Sequence, residues 1–233
     1  MREIVLDTET TGLDPAQGHR VVEIGCVELM NYIPTGSVYH ALINPERDVS
    51  PEAEAIHGHS TAFLADKPKF AEIVDQFLEF VGDARIVIHN AGFDFGFLNA
   101  ELERCERMLL PRERIVDTLA LARRRHPGGP NRLDDLCVRY GIDNSRRTKH
   151  GALLDAELLA EVYAELVGGR QARLGLDQMQ LASRAAKAAI ARARPSPLPS
   201  RVSEEERAAH RGLLAKLGEA AIWNLYAGKK MDA

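Results

Sequence analysis

The chain has few of the features that mark secreted, membrane or disulfide-stabilised proteins. It contains 3 cysteines, and Cys26, Cys105 and Cys137 are far apart and in no metal-ligand spacing, which is typical of a reducing compartment. No apolar run approaches the roughly 20 residues of a membrane span, and the first residues read as a strand rather than a targeting segment. These absences predict a soluble cytoplasmic protein.

Aromatic residues are also scarce, at 6% of 233 residues, and the formal net charge is only -4. That charge is unevenly divided, with 28 acidic and 18 basic residues in 1–169 but 6 acidic and 12 basic residues in 170–233. An acidic body binds phosphate backbones poorly by itself. A nucleic-acid substrate would therefore need divalent cations to neutralise its phosphates.

The pattern of apolar residues predicts an α/β fold. Strand-like runs occur at residues 2–7, 21–30, 37–43, 85–89 and 114–117. Helical spacing occurs at residues 70–81, about 93–108, from 118 onward, at 133–140 and at about 152–167. Strands first, followed by strand–helix alternation, predict a central mixed sheet of five strands flanked by helices.

The composition changes at Gly168-Gly169, which predicts a domain over residues 1–168 and a separate tail. Residues 169–200 are rich in Ala, Arg, Gln and Pro, as in a flexible linker, although 178–193 equally fit a surface helix. Residues 201–233 begin with a capping box and end with a lone tryptophan, which predicts a segment that docks on another protein. Its anchors would be Trp223, Leu225 and Tyr226, unless they fold back on the first domain.

The strongest local motif is Asp7-Thr8-Glu9-Thr10-Thr11-Gly12, at the end of the first strand. Residues two apart on a strand point to the same face, so Asp7 and Glu9 present two carboxylates side by side. Such a pair is unfavourable unless a cation lies between its members. The alternative is a solvated strand end.

A second motif, His89-Asn90-Ala91-Gly92-Phe93-Asp94, follows the strand at 85–89. Side chains at the carboxyl ends of neighbouring strands converge, so Asp94 can meet the first two carboxylates if the strands are adjacent. It can also be read as an ordinary acidic residue in the first turn of a helix.

A third motif, His150-Gly151-Ala152-Leu153-Leu154-Asp155, opens the last helix of the first domain. Five helical residues turn by about 500°, so His150 and Asp155 cannot share a helix face and His150 must precede the helix. Gly151 is expected to let the chain turn there. His150 would then overhang the site from a loop, or else merely decorate the surface.

Four carboxylates brought together by a strand, a strand end and a helix fit a site for two Mg²⁺ or Mn²⁺ ions, because these hard cations prefer oxygen ligands. The reaction class that follows is hydrolysis of a phosphodiester. His150, with an ordinary imidazole pKa of about 6.5, could take the proton of the attacking water.

The three motifs, in this order and spacing, resemble those of the DEDDh 3'–5' exonucleases, which have a ribonuclease-H-like fold. The resemblance covers roughly residues 1–168. It implies metal ligands at Asp7, Glu9, Asp94 and Asp155 and a general base at His150. It further implies contacts with the terminal nucleotide, for which we expect Thr8, Glu9, Thr10, His57, Asn90 and Phe93. His57 equally fits a structural loop histidine, and Phe93 a core position.

The tail resembles that of one branch of the family, the proofreading exonuclease subunits of bacterial DNA polymerase III. Residues 171–176 match a Gln-x-x-Leu-x-Leu sliding-clamp peptide through Gln171, Leu174 and Leu176, or form a frayed amphipathic turn. The resemblance implies DNA 3' ends as substrate, docking of 201–233 on the polymerase III alpha subunit, and a small theta-like third core subunit. The alternatives are a free-standing exoribonuclease that trims RNA 3' ends and a non-catalytic module, which the five retained site residues disfavour.

Overall fold

A computed structural model of the chain describes residues 1–145, 147, 149–168, 201–218 and 223. Residues 1–168 contain five strands that form one sheet in the order β3-β2-β1-β4-β5. The strands are β1 (Arg2–Thr10), β2 (Val21–Met30), β3 (Ile33–Leu42), β4 (Arg85–Ile88) and β5 (Ile115–Asp117). β1, β2 and β3 are antiparallel neighbours, whereas β4 and β5 run parallel to β1. The mixed five-stranded sheet is as predicted.

Seven helices accompany this sheet in the described part of residues 1–168. They are α1 (Pro51–His57), α2 (Thr61–Leu64), α3 (Phe70–Val81), α4 (Gly92–Arg104), α5 (Thr118–Arg125), α6 (Leu133–Tyr140) and α7 (Ala152–Leu166). α3 begins where the backbone N–H of Lys69 donates to the Glu72 carboxylate at 2.7 Å. It buries Phe70, Val74 and Phe77, the residues whose helical spacing predicted it.

The helices cover the two faces of the sheet separately. Ile4 and Leu6 of β1 point into a core shared with α3 and α4. Val5, between them in sequence, points into a second core shared with α6 and α7. This alternation matters for function, because side chains at the end of β1 can be reached by helices from both faces.

Several element boundaries differ from the sequence prediction, and two short helices were missed. β3 begins at Ile33 rather than residue 37, because a tight turn at Asn31 and Tyr32, both at positive φ, joins it directly to β2. α4 ends at Arg104 rather than near 108, because Glu106 adopts a left-handed φ of 54°. α1 and α2 were not predicted, since they are short and make few buried contacts of their own.

The second unit contains α8 (Glu204–Leu217), which is described by itself. Its capping box is as predicted: Ser203 Oγ accepts from the Glu206 backbone, and the Glu206 carboxylate accepts from the Ser203 backbone. Leu213, Leu217 and Trp223 are each more than half exposed. The predicted linker at 169–200, the clamp-like peptide with Gln171, Leu174 and Leu176, and the anchors Leu225 and Tyr226 lie outside the described residues. None of the described helices is long and apolar enough to cross a membrane.

Candidate active site

A cavity of about 770 Å³ opens at the end of the sheet where β1 extends past β4. Its lining includes all five residues predicted to carry the chemistry, which are Asp7, Glu9, Asp94, His150 and Asp155. Thr8, Asn90 and Phe93, predicted to contact the substrate, line it as well. The sequence motifs therefore converge in space as expected.

Asp7 and Glu9 project into the cavity from the same face of β1. β4 pairs only with Glu3 to Val5, so both carboxylates lie beyond its end, where no strand covers that side of β1. On the other side, Asp7 is opposite Gly25 of β2, and residues directly opposite in an antiparallel pair point to the same face.

Gly25 lets α7 approach this face. A Cβ at Gly25 would lie 2.2 Å from the backbone of Ala152 and Leu153, closer than any side chain permits. The missing side chain therefore allows the first turn of α7 to pack against β2 beside Asp7. That approach brings Asp155, which is 2% exposed, to the carboxylates of β1.

Asp94 reaches the cluster from the opposite face of the sheet, in the first turn of α4. Its Oδ1 accepts two hydrogen bonds from Thr8, at 3.0 Å from the backbone N–H and at 2.7 Å from the hydroxyl. Asn90, just before α4, adopts a φ of 63°, which turns the chain from β4 into the helix. Thr8 thus fixes the position of the Asp94 carboxylate.

His150 precedes α7, as the rotation argument required. Its backbone N–H donates to the Ile56 carbonyl at 3.2 Å, and about half of its side chain is exposed. Ligand atoms of Glu9, His150 and Asp155 lie within 4.8 Å of one another. The expected role of Gly151 was wrong, because its φ of -152° is extended backbone that any residue adopts.

The carboxylates are electrostatically crowded. Burial raises the pKa of Asp7 well above its usual value, and repulsion from Asp94, Glu9 and Asp155 raises it further. Burial and repulsion from Asp155 and Glu23 raise the pKa of Glu9 to about 8. Burial raises the pKa of Asp94 to about 6, against the lowering effect of the Thr8 hydrogen bonds. The cluster therefore favours bound protons or cations.

The motifs did not predict Arg147, a cation at the centre of the cluster. Its Nε lies 2.5 Å from Oδ1 of Asp155 and its Nη2 2.6 Å from Oδ2. Nη2 also lies 2.7 Å from Nδ1 of His150, and Nη1 is paired at 2.7 Å with Asp134. Arg147 and Asp134 fall outside the three motifs, and nothing in their spacing predicts the pairing.

A buried polar layer lies behind the cavity around Glu23, opposite Glu9 in the strand register. Burial alone would raise the Glu23 pKa, but hydrogen bonds from His40 and His59 lower it to about 2. His57 ends α1 and is 5% exposed, and its Nδ1 accepts from the His59 backbone at 3.0 Å. His57 and Thr10, predicted to contact the substrate, do not line the cavity.

Comparison with known proteins agrees with this geometry. Residues 4–163 match a family model described as Exonuclease. The DNA polymerase III subunit epsilon of Rickettsia felis is 57% identical over 174 residues, covering 73% of this chain and 76% of that protein. The subunit epsilon of Escherichia coli is 42% identical over 235 residues, covering 95% and 97%.

The chain belongs to the epsilon subunit family of DNA polymerase III. A solved structure of Exonuclease X in complex with 5' overhanging duplex DNA is also similar, at 27% identity and a TM-score of 0.58, covering 72% of this chain and 92% of that one. Family membership confirms the predicted fold and enzyme class, a 3'–5' proofreading exonuclease, and does not favour the RNA-trimming alternative. Exonucleases of this family use divalent metal ions, and the cluster of Glu9, His150 and Asp155 can hold one.

Proposed function

We propose that the chain hydrolyses the 3'-terminal phosphodiester of DNA and releases nucleoside 5'-monophosphates, using two Mg²⁺ or Mn²⁺ ions held by Asp7, Glu9, Asp94 and Asp155. The observation that carries the proposal is the convergence of these four carboxylates in one cavity. Oxygen donors of this kind suit hard divalent cations.

The raised pKa values of the carboxylates indicate whether this cluster suits bound cations. Burial raises the pKa values of Asp7, Glu9 and Asp94, and repulsion from neighbouring carboxylates adds to it at Asp7 and Glu9, so bound positive charge would stabilise the ionised carboxylates. When bound, two divalent ions would supply a more acidic water and a counter-charge for the leaving oxygen. Asp7, Glu9, Asp94 and Asp155 would hold these ions together, with Glu9 and Asp155 on the side of His150.

His150 is proposed to take the proton of the attacking water. Its half-exposed side chain lines the cavity just before the helix that holds Asp155. A neutral imidazole is suited to this transfer, because one of its ring nitrogens carries a lone pair that can accept a proton.

The terminal nucleotide is proposed to lie over Thr8, Asn90 and Phe93, which line the cavity. Phe93 packs on Phe97 at 4.9 Å between ring centroids, so its ring is held firmly from behind. Because unpaired ends unstack readily, a cavity that takes a single terminal nucleotide would select frayed or mismatched termini without reading the bases.

The tail is proposed to attach the enzyme to the polymerase III core. The E. coli match covers 95% of the chain, so the similarity extends well past residue 168. The exposed Leu213, Leu217 and Trp223 suit docking of 201–233 on the alpha subunit. Residues 171–176 would bind the sliding clamp, and a theta-like protein would be the third core subunit. Tethering would raise the local concentration of the nuclease at the primer end.

The test is hydrolysis of a mismatched primer–template compared with a paired one and with a short RNA. We expect metal-dependent release of nucleoside 5'-monophosphates, fastest from the mismatched DNA. Asp155→Asn should abolish it, whereas Asp83→Asn, the same change at the exposed opposite end of β4, should not. Full activity of the Asp155 variant, or faster release from RNA, would overturn the proposal.

A further inference from the structure

Arg147 contacts three side chains of the cavity rather than a single ion-pair partner: Asp155, His150 and Asp134. Its guanidinium is 8% exposed and forms two parallel bonds with Asp155, so both carboxylate oxygens are engaged. Bidentate pairing of this kind is among the stronger charge-assisted interactions. The fully buried end of the site is therefore neutralised by a side chain of the protein itself.

A metal ligated by Asp155 requires at least one of the same two oxygens. A guanidinium that lies 2.5 and 2.6 Å from them already occupies one lone pair on each oxygen. A cation bound to the same carboxylate would also be repelled by the guanidinium charge. Arg147 and a metal ligated by Asp155 therefore compete for the same carboxylate.

The same guanidinium engages His150. Nη2 of Arg147 lies 2.7 Å from Nδ1 of His150, and the same Nδ1 lies 3.2 Å from Oδ2 of Asp155. Because Nη2 can only donate, it engages Nδ1 through the nitrogen lone pair for as long as the guanidinium stays in place.

Asp134 offers the guanidinium a second position. It is more than half exposed at the rim of the cavity and is paired with Nη1 of Arg147 at 2.7 Å. Arg147 can therefore release Asp155 and His150 while it keeps one carboxylate partner. The ion pair with Asp134 would limit the cost of that movement.

We propose that Arg147 is a latch that competes with the metal for Asp155 and withholds His150 until the metal displaces it. The inference rests on the proposed metal site. In this account, metal binding at Asp155 displaces Arg147, and the displacement frees His150 in the same step.

The experiment is calorimetric titration of the full chain, first stripped with EDTA and dialysed, with MnCl₂. Arg147→Gln should bind Mn²⁺ about tenfold or more tightly than the unaltered chain, because the competing cation is gone. Arg132→Gln is the matched control, since it removes the same charge from the same cavity lining, and no described contact joins Arg132 to Asp155. Its Mn²⁺ affinity should change less than threefold.

An unchanged or weaker affinity in Arg147→Gln would overturn the latch, and so would an equal gain in Arg132→Gln, which would indicate a long-range charge effect. If Arg147→Gln fails to fold by circular dichroism, Arg147→Lys decides, because lysine keeps the charge but cannot form the two parallel bonds. It should show a smaller gain, and no gain would refute the latch. If the unaltered chain and both Arg147 variants bind no Mn²⁺, the metal site itself is wrong.

Discussion

The crowded carboxylates predict that the chelated protein loses stability as the pH rises. The perturbation is removal of divalent ions with EDTA, followed by urea unfolding at pH values from 5 to 9. Glu9 is the informative group, because it is 8% exposed and its pKa is about 8 in the folded protein against 4.5 as its ordinary value.

The sign follows from proton linkage. The folded state holds the Glu9 proton more tightly than the unfolded chain, so this contribution to stability is fully present below pH 4.5 and is lost as the pH rises through 8. The free energy of unfolding should fall by up to about 5 kcal/mol over that range, at about 1.4 kcal/mol for each pH unit between the two values. Asp94, with a pKa of about 6, adds a loss in the same direction at lower pH.

Such a loss is a large part of the roughly 5–15 kcal/mol that holds a typical domain folded, so the urea midpoint should move visibly. Saturating MnCl₂ should reverse the slope at alkaline pH, since bound cations replace the protons. Glu9→Gln is the matched variant, because it stays neutral at every pH and should make the curve shallower above pH 6, leaving the contribution of Asp7. A chelated protein equally stable at pH 5 and pH 8, or a Glu9→Gln variant with the original slope, would refute the reasoning.

Three further predictions concern the rest of the site and the tail. Gly25→Ala should cost about 1–3 kcal/mol of stability by urea unfolding and weaken Mn²⁺ binding, because the new Cβ meets the backbone of α7. Gly96→Ala is the control and should do neither, because a Cβ there has nothing within 4 Å. Equal behaviour of the two variants would contradict the packing argument. His150→Ala should lower turnover about 100-fold or more while Mn²⁺ binding persists, and an unchanged rate would remove it from the mechanism. Deletion of residues 201–233 should spare hydrolysis of free primers but end co-purification with the alpha subunit, and continued co-purification would refute docking.

Much of the fold could be predicted because its signals are local. The apolar period of α3 and the run at β2 depend only on neighbouring residues, and both boundaries matched. The placement of Asp94 beside Asp7 could also be predicted, since the carboxyl ends of adjacent parallel strands lie at the same edge of the sheet.

What escaped prediction depends on contacts between distant parts of the chain. Gly25 reads as an ordinary strand residue until α7 is seen to touch it. The sequence presents Glu23 as an ordinary charged residue on a strand, yet it is buried and paired with His40 and His59 from other parts of the chain. Arg147 lies among basic residues, and its local sequence predicts an exposed side chain. Its ion pairs with Asp155 and Asp134, which are distant in sequence, hold the guanidinium in the cavity instead.

The measurement that tests the central claim most directly is diffraction near the manganese absorption edge from crystals of the chain soaked with MnCl₂ and a nucleoside 5'-monophosphate. We expect two anomalous peaks among Asp7, Glu9, Asp94 and Asp155, with the phosphate beside them. Peaks elsewhere, or none at saturating Mn²⁺, would contradict the account.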